Sequence, residues 1–206
     1  MTNPLFDTLF GQHAQRDAVF LHLPDGTTLH YAAFLDLTAQ YAGALTQAGL
    51  APGDRVAVQI EKSPQALAVY AACAQAGLVF LPLNTGYTAD EVAYFVENSG
   101  AGIVLCDAAK RDALAPIAGR CGARLESLNA DGSGSFADLA EAQPTTFETV
   151  PRSMDDLAAF LYTSGTTGRS KGAMLSQGNL LSNARTLKDE WRFTSEDVLL
   201  HALPIF

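Results

Sequence analysis

The sequence predicts an α/β fold, a largely parallel sheet flanked by helices. Three observations predict it. Short apolar runs of strand length recur along the first two-thirds of the chain. Longer segments with apolar residues at three- and four-residue steps separate them, and glycine or Pro-Gly turns mark the junctions. Strands alternating with helices of this length read as βαβ units, hence parallel strands with helices packed on the sheet. The chain has 206 residues, of which 48% are hydrophobic and 17% charged. That is ample for a packed core and suggests one domain or two small ones.

Taken in order, Ala18–Leu23 is a short apolar run followed by Pro24-Asp25-Gly26-Thr27, which reads as a hairpin turning at Asp25-Gly26. Tyr31–Ala48 carries Phe34, Leu37, Tyr41, Ala44, Leu45 and Ala48 on one helical stripe, and Gly49 stops it. Arg55–Ile60 is a buried strand. Ser63 caps a helix that has Pro64 at its first position and runs to Gln75, with Gly77 beyond it. Leu78–Leu83 is a strand whose Pro82 puts its end at an edge or bend. Thr88 caps Ala89–Asn98, with Glu91 completing a capping box. Ile103–Cys106 is a strand, Asp107 opens a further helical stretch, and Ala123–Leu128 is another strand. Asn129–Ser153 shifts to Asp-Gly-Ser-Gly-Ser and two prolines. It reads as a surface excursion or junction with a short helix around Phe136–Ala142. Leu157–Tyr162 and Ala173–Ser176 are apolar strands, and Asn179–Trp191 has helical spacing.

Composition excludes several classes. Thirteen Lys and Arg against 22 Asp and Glu leave a net charge of −9, which argues against a general nucleic-acid or anionic-membrane surface. No apolar run is long enough for a transmembrane helix. The N-terminal residues lack the basic and apolar regions of a secretory signal, so a cytoplasmic location is expected. Cys73, Cys106 and Cys121 are odd in number without CxxC spacing, which suggests reduced thiols, with Cys73 and Cys106 in the core. His13, His22, His30 and His201 are scattered without metal-ligand spacing, so no metal ligand is assigned. Glu61, Asp90 and Glu91 read as solvated or capping carboxylates, Trp191 and the phenylalanines as core.

The chemistry concentrates in Thr163-Ser164-Gly165-Thr166-Thr167-Gly168-Arg169-Ser170-Lys171-Gly172, a connection between two strands. Gly165 and Gly168 permit close backbone approach to a ligand, and successive N–H groups in such a turn form an anion nest. Thr163, Ser164, Thr166 and Thr167 add hydroxyl donors, and Lys171 and Arg169 add positive charge. Such a set suits a polyphosphate. A flexible Ser/Thr/Gly linker explains the small residues, but not the lysine after the second glycine or the strands on both sides. A Walker loop does not fit: its second glycine falls at Ser170, Gly172 takes the place of its Mg²⁺-binding hydroxyl, and the loop leads into a strand. No GxGxxG dinucleotide fingerprint is present, and Ser164 has no His/Asp constellation around it.

Tyr162–Gly172 resembles the phosphate loop of the adenylate-forming superfamily of acyl-CoA synthetases, peptide-synthetase adenylation domains and luciferases, Tyr-Thr-Ser-Gly-Thr-Thr-Gly-x-Pro-Lys-Gly, with Ser170 in the proline position. Gly49–Ala57, Ala76–Asn84, Thr88–Val92 and Leu203–Phe206 are similar to other segments of that family. Gly168–Ser176 and Trp191–Pro204 most resemble malonyl-CoA synthetases, and Gln177 stands where the related segment often has His. The resemblance implies part of the N-terminal domain of an adenylate-forming enzyme. Residues 1–150 would form one α/β subdomain of the AMP-binding domain, and 151–206 the truncated start of a second that carries the phosphate loop.

The implied activity is ATP-dependent ligation of a carboxylic acid to coenzyme A through an acyl-adenylate, as a malonyl- or methylmalonyl-CoA synthetase would do in fatty acid metabolism. ATP, Mg²⁺ and coenzyme A are the implied cofactors and co-substrates, and a small carboxylic acid the partner, with no nucleic acid and no membrane. On the resemblance, Thr163, Ser164, Gly165, Thr166, Thr167, Gly168 and Lys171 bind the β- and γ-phosphates, with Lys171 and Thr163 catalytic. The family's Mg²⁺-binding Glu, adenine contacts and smaller domain would follow Phe206, so this chain alone is expected to be inactive. A peptide-synthetase-type adenylation domain, or a non-catalytic nucleotide-binding fragment, is the alternative.

Overall fold

The computed structural model describes residues 2–163 and 170–205. The chain opens with helix α1 (Pro4–Leu9), then a hairpin of β1 (Val19–His22) and β2 (Thr28–His30), then helix α2 (Tyr31–Gln47). Next come β3 (Arg55–Gln59), α3 (Pro64–Gln75), β4 (Val79–Pro82), α4 (Ala89–Ser99), β5 (Ile103–Cys106), α5 (Arg111–Cys121) and β6 (Arg124–Ser127). Helix α6 (Ser135–Glu141), β7 (Leu157–Thr163), β8 (Lys171–Ser176) and α7 (Gln177–Glu190) complete it. Six strands form one sheet in the order β6–β5–β3–β4–β7–β8. All neighbours are parallel except β7 and β8, which are antiparallel. The α/β architecture with a largely parallel sheet is therefore the observed one.

The central strands are mostly apolar, with Arg55 and Gln59 at the two ends of β3, because both of their faces are covered. Val56, Val58, Phe80, Ile103 and Leu105 enter a core shared with α1, α2, α3 and α6. Ala57, Leu81, Val104 and Cys106 point the other way, into a core shared with α4 and α5. The period-two alternation of a strand thus divides one continuous hydrophobic run between two cores.

Local signals explain the boundaries. The Ser63 hydroxyl accepts from Ala66 N at 3.2 Å, and Pro64 opens α3. Thr88 and Glu91 form a reciprocal capping box on α4, which ends at Gly100 with φ +62°, a left-handed conformation suited to glycine. Cys73 and Cys106 are buried as expected, and all three cysteines are free. Burial, followed by the adjacent Asp107 charge, pushes the Cys106 thiol up to about 11, away from any reactive thiolate.

Four expectations change. Helix α1 is unanticipated, because its six residues are too few to display a period. Pro82 ends β4, but β4 lies inside the sheet. The described pairing between β4 and β7 is Phe80 with Ala159 and does not include the proline. The short helix expected around Phe136–Ala142 is α6, but the 129–153 segment is more than a surface excursion: Phe136 is fully buried with its ring 5.1 Å from that of Tyr41. Trp191 is 65% exposed rather than core. The apolar stripe of α7 is buried at Leu181 and half-buried at Ala184 and Leu187, and its last turn runs off the packed surface.

Candidate active site

Strands β7 and β8 form an antiparallel hairpin at one edge of the sheet, and Thr163 and Lys171 are its last paired residues. The expected strand-to-strand connection is present. Ser164, Gly165, Thr166, Thr167 and Gly168 lie outside the described residues. Thr163 and Lys171 are described, exposed, and side by side across the ladder. Thr163 Oγ1 donates to the Lys171 carbonyl at 3.4 Å. An exposed hydroxyl and an exposed ammonium group at one strand end make a donor set for an anion.

The hairpin is held along one face by α4. Tyr162 donates to Asn98 Oδ1 at 2.7 Å, and Tyr94 donates to the Ser170 carbonyl at 3.0 Å. The rings of Tyr94, Phe95, Phe160 and Tyr162 pack with neighbouring centroids 4.4 to 6.0 Å apart. Burial, helped by Tyr94, pushes the Tyr162 phenol up to about 12, so it stays a neutral donor. Gly172 has a packing reason: a Cβ there would overlap the Phe160 ring.

At its other end the hairpin is anchored to the N-terminus. Gln177 is 1% exposed, and its Oε1 accepts from Leu5 N at 3.0 Å, a first-turn amide that has no intrahelical acceptor. Asn3 caps α1 and donates to the carbonyls of Ala74 and Val150 at 2.7 and 2.9 Å. Gln177, without an assigned consequence in the sequence, thus braces α7 against α1.

Tyr94, Asn98 and Gln177 are the residues that sequence reasoning missed. Tyr94 does carry a signal: it is a large aromatic lying off the buried Val92, Phe95 and Val96 stripe of its own helix. A separate cavity of about 250 Å³ lies beyond the carboxyl ends of β3 and β4, where open α/β sheets take ligands. It is lined by Val58, Ile60, Phe80 and Pro82 and bounded by Pro204 and Ile205. The Lys62 ammonium at its rim is occupied by the carbonyls of His201 and Leu203, at 2.8 and 3.0 Å. Among the described residues no group of three or more His, Cys, Asp or Glu is arranged to hold a metal ion, and no helix is long and apolar enough to cross a membrane.

A family model described as AMP-binding enzyme matches residues 7–206. The chain belongs to the AMP-binding enzyme family. Among solved structures, ATP-bound MatB from Rhodopseudomonas palustris superimposes with a TM-score of 0.94 at 49% identity, over 99% of this chain and 41% of that one. Among curated relatives, a feruloyl-CoA synthase from Amycolatopsis sp is 36% identical over 88% of this chain and 35% of its own length. An oxalate–CoA ligase from Arabidopsis thaliana is 32% identical over 86% of this chain and 36% of its own length. The chain thus spans a little over a third of the length of these curated relatives and about two-fifths of the matched structure. The fold is that of the N-terminal domain of an adenylate-forming enzyme.

Proposed function

We propose that the protein to which these residues belong is an acyl-CoA synthetase that couples a short dicarboxylic acid, malonate or methylmalonate, to coenzyme A through an acyl-adenylate. The observation that carries the reading is the hairpin mouth, where Thr163 and Lys171 pair across the ladder and both face solvent. The family match and the kinship with an ATP-bound structure support nucleotide as the ligand. Support for malonate comes from the resemblance of Gly168–Ser176 and Trp191–Pro204 to malonyl-CoA synthetases. The curated relatives carry names for several acids, ferulate and oxalate as well as malonate, so an acid panel decides between them.

In this mechanism Lys171 and the Thr163 hydroxyl, with Ser164, Gly165, Thr166, Thr167 and Gly168, bind the β- and γ-phosphates. The Lys171 ammonium neutralises charge as the carboxylate attacks the α-phosphorus and the bond to pyrophosphate breaks. The exposed hydroxyl and ammonium suit a polyphosphate. The described residues offer no cluster of three or more His, Cys, Asp or Glu for Mg²⁺. Coenzyme A is the acceptor of the second half-reaction on this reading. We place the division between two subdomains near residue 150, supported by the composition of 129–153, and the 206 residues alone as inactive. Limited proteolysis and an assay of the isolated chain test these two points.

The deciding experiment is malonate-dependent ATP–pyrophosphate exchange by the whole protein. Lys171→Ala is expected to slow exchange on the order of 10²-fold, the scale of losing one preorganised charge-stabilising group. Unchanged exchange overturns the role of Lys171, and exchange with ferulate or oxalate but neither malonate nor methylmalonate overturns the choice of acid.

A further inference from the structure

We propose that Tyr94, on α4, is a positioning residue for Lys171, an inference that rests on the reading of this lysine as a phosphate ligand. Ser170 lies one residue beyond the last ladder pair of the hairpin, Thr163 with Lys171. Its carbonyl receives the Tyr94 hydroxyl at 3.0 Å. The Lys171 carbonyl receives the Thr163 hydroxyl at 3.4 Å. The Thr163 O–H is a single donor that turns to phosphate when nucleotide binds, so the peptide group between Ser170 and Lys171, held by Tyr94, is the one that stays fixed. That hydrogen bond orients the Cα–Cβ bond from which the ammonium is delivered, at a point where, among the described residues, β8 has the hairpin ladder on one side.

The support behind Tyr94 is rigid. Helix α4 begins in a reciprocal capping box, ends at the left-handed Gly100, and buries Val92, Phe95 and Val96 in the core. The Tyr94 ring lies 5.6 Å from Phe95 and 6.0 Å from Tyr162, which fixes the direction of its hydroxyl. A group delivered from a packed helix keeps a long, flexible lysine near one geometry and lowers the ordering cost of binding an anion. The chemistry recognised at the end of this chain of contacts is a nucleoside polyphosphate.

Tyr94→Phe removes one oxygen and keeps the ring. In the whole protein, ATP affinity measured by calorimetry is expected to weaken about fivefold, the worth of one neutral hydrogen bond. In the exchange assay the KM for ATP rises by a similar factor, while the KM for the acid and the melting temperature stay at the wild-type values. A tyrosine that serves only packing or stability would lower the melting temperature and leave ATP affinity alone. That result, or an unchanged ATP affinity at an unchanged melting temperature, overturns the proposal. If the wild-type protein binds ATP but activates no acid, weaker ATP binding by Tyr94→Phe still supports the positioning role, and only the ligase reading falls. If the wild-type protein binds no ATP, both fall.

Discussion

The strands β3, β4 and β5 and the hairpin β7–β8 belong to one sheet but are built on opposite terms. In β5 all four residues are buried, and in β3 all but the first. In β8 none is buried and three of six are exposed. The central strands exchange ladder bonds on both sides and bury side chains in two cores. β8 has a ladder on one side, from β7. What the centre gains in burial it gives up in chemistry, since no hydroxyl or ammonium group there faces solvent. The hairpin keeps Thr163 and Lys171 accessible and borrows rigidity from α4 and α1, through Tyr94, Asn98 and Gln177, instead of from burial.

Three substitutions would sharpen or break that contrast. The largest effect is expected from Leu105→Ala. Leu105 is fully buried, so the loss of transfer energy plus a cavity should cost about 2–5 kcal/mol in denaturant unfolding of the whole protein, with ATP affinity unchanged in the folded fraction. A cost no larger than at the hairpin would remove the distinction. Gly172→Ala comes next. The added methyl meets the Phe160 ring, and overpacking of this kind costs about 1–3 kcal/mol. The same change made on a Phe160→Leu background should cost less, because the two residues share the contact. Additive effects would mean that the ring is not what forbids a side chain at 172.

The smallest effect belongs to the brace itself. Glu91 accepts the Thr88 amide and hydroxyl, both at 2.8 Å, and these bonds hold its carboxyl below the usual range. Its contribution to stability is therefore present above the ordinary carboxylate pKa and is lost as pH falls through the lowered folded value. The melting-temperature gap between wild type and Glu91→Ala should narrow below about pH 4. A gap that widens in acid would contradict the capping box as its source.

The centre was also the legible part. Pro64–Gln75 and Ile103–Cys106 were readable to the residue, because a Ser-Pro cap and a short isolated apolar run are local signals. The 163–172 segment was legible as a pattern of residue types, and the structure adds that its two flanking strands pair. What stayed hidden was non-local. Nothing in residues 89–99 says that Tyr94 will meet a carbonyl 76 positions away. Trp191 continued a helical stripe that the core did not follow. Asn3-Pro4 was a cap signal without enough helix after it to be read.

The Leu5–Gln177 hydrogen bond joins residues 172 positions apart. Closing a loop of that length carries an entropic cost that contacts made earlier must offset. Neighbouring pairs such as β3 with β4, linked through one helix, have far shorter loops to close and gain burial as they do so. Contact order therefore puts the docking of α7 on α1 late in folding, after the parallel strands have condensed. On the ribosome the chain's first helix emerges long before its partner and must wait for residue 177 to be made. The β7–β8 hairpin is then seated only when both ends of this stretch of chain have met.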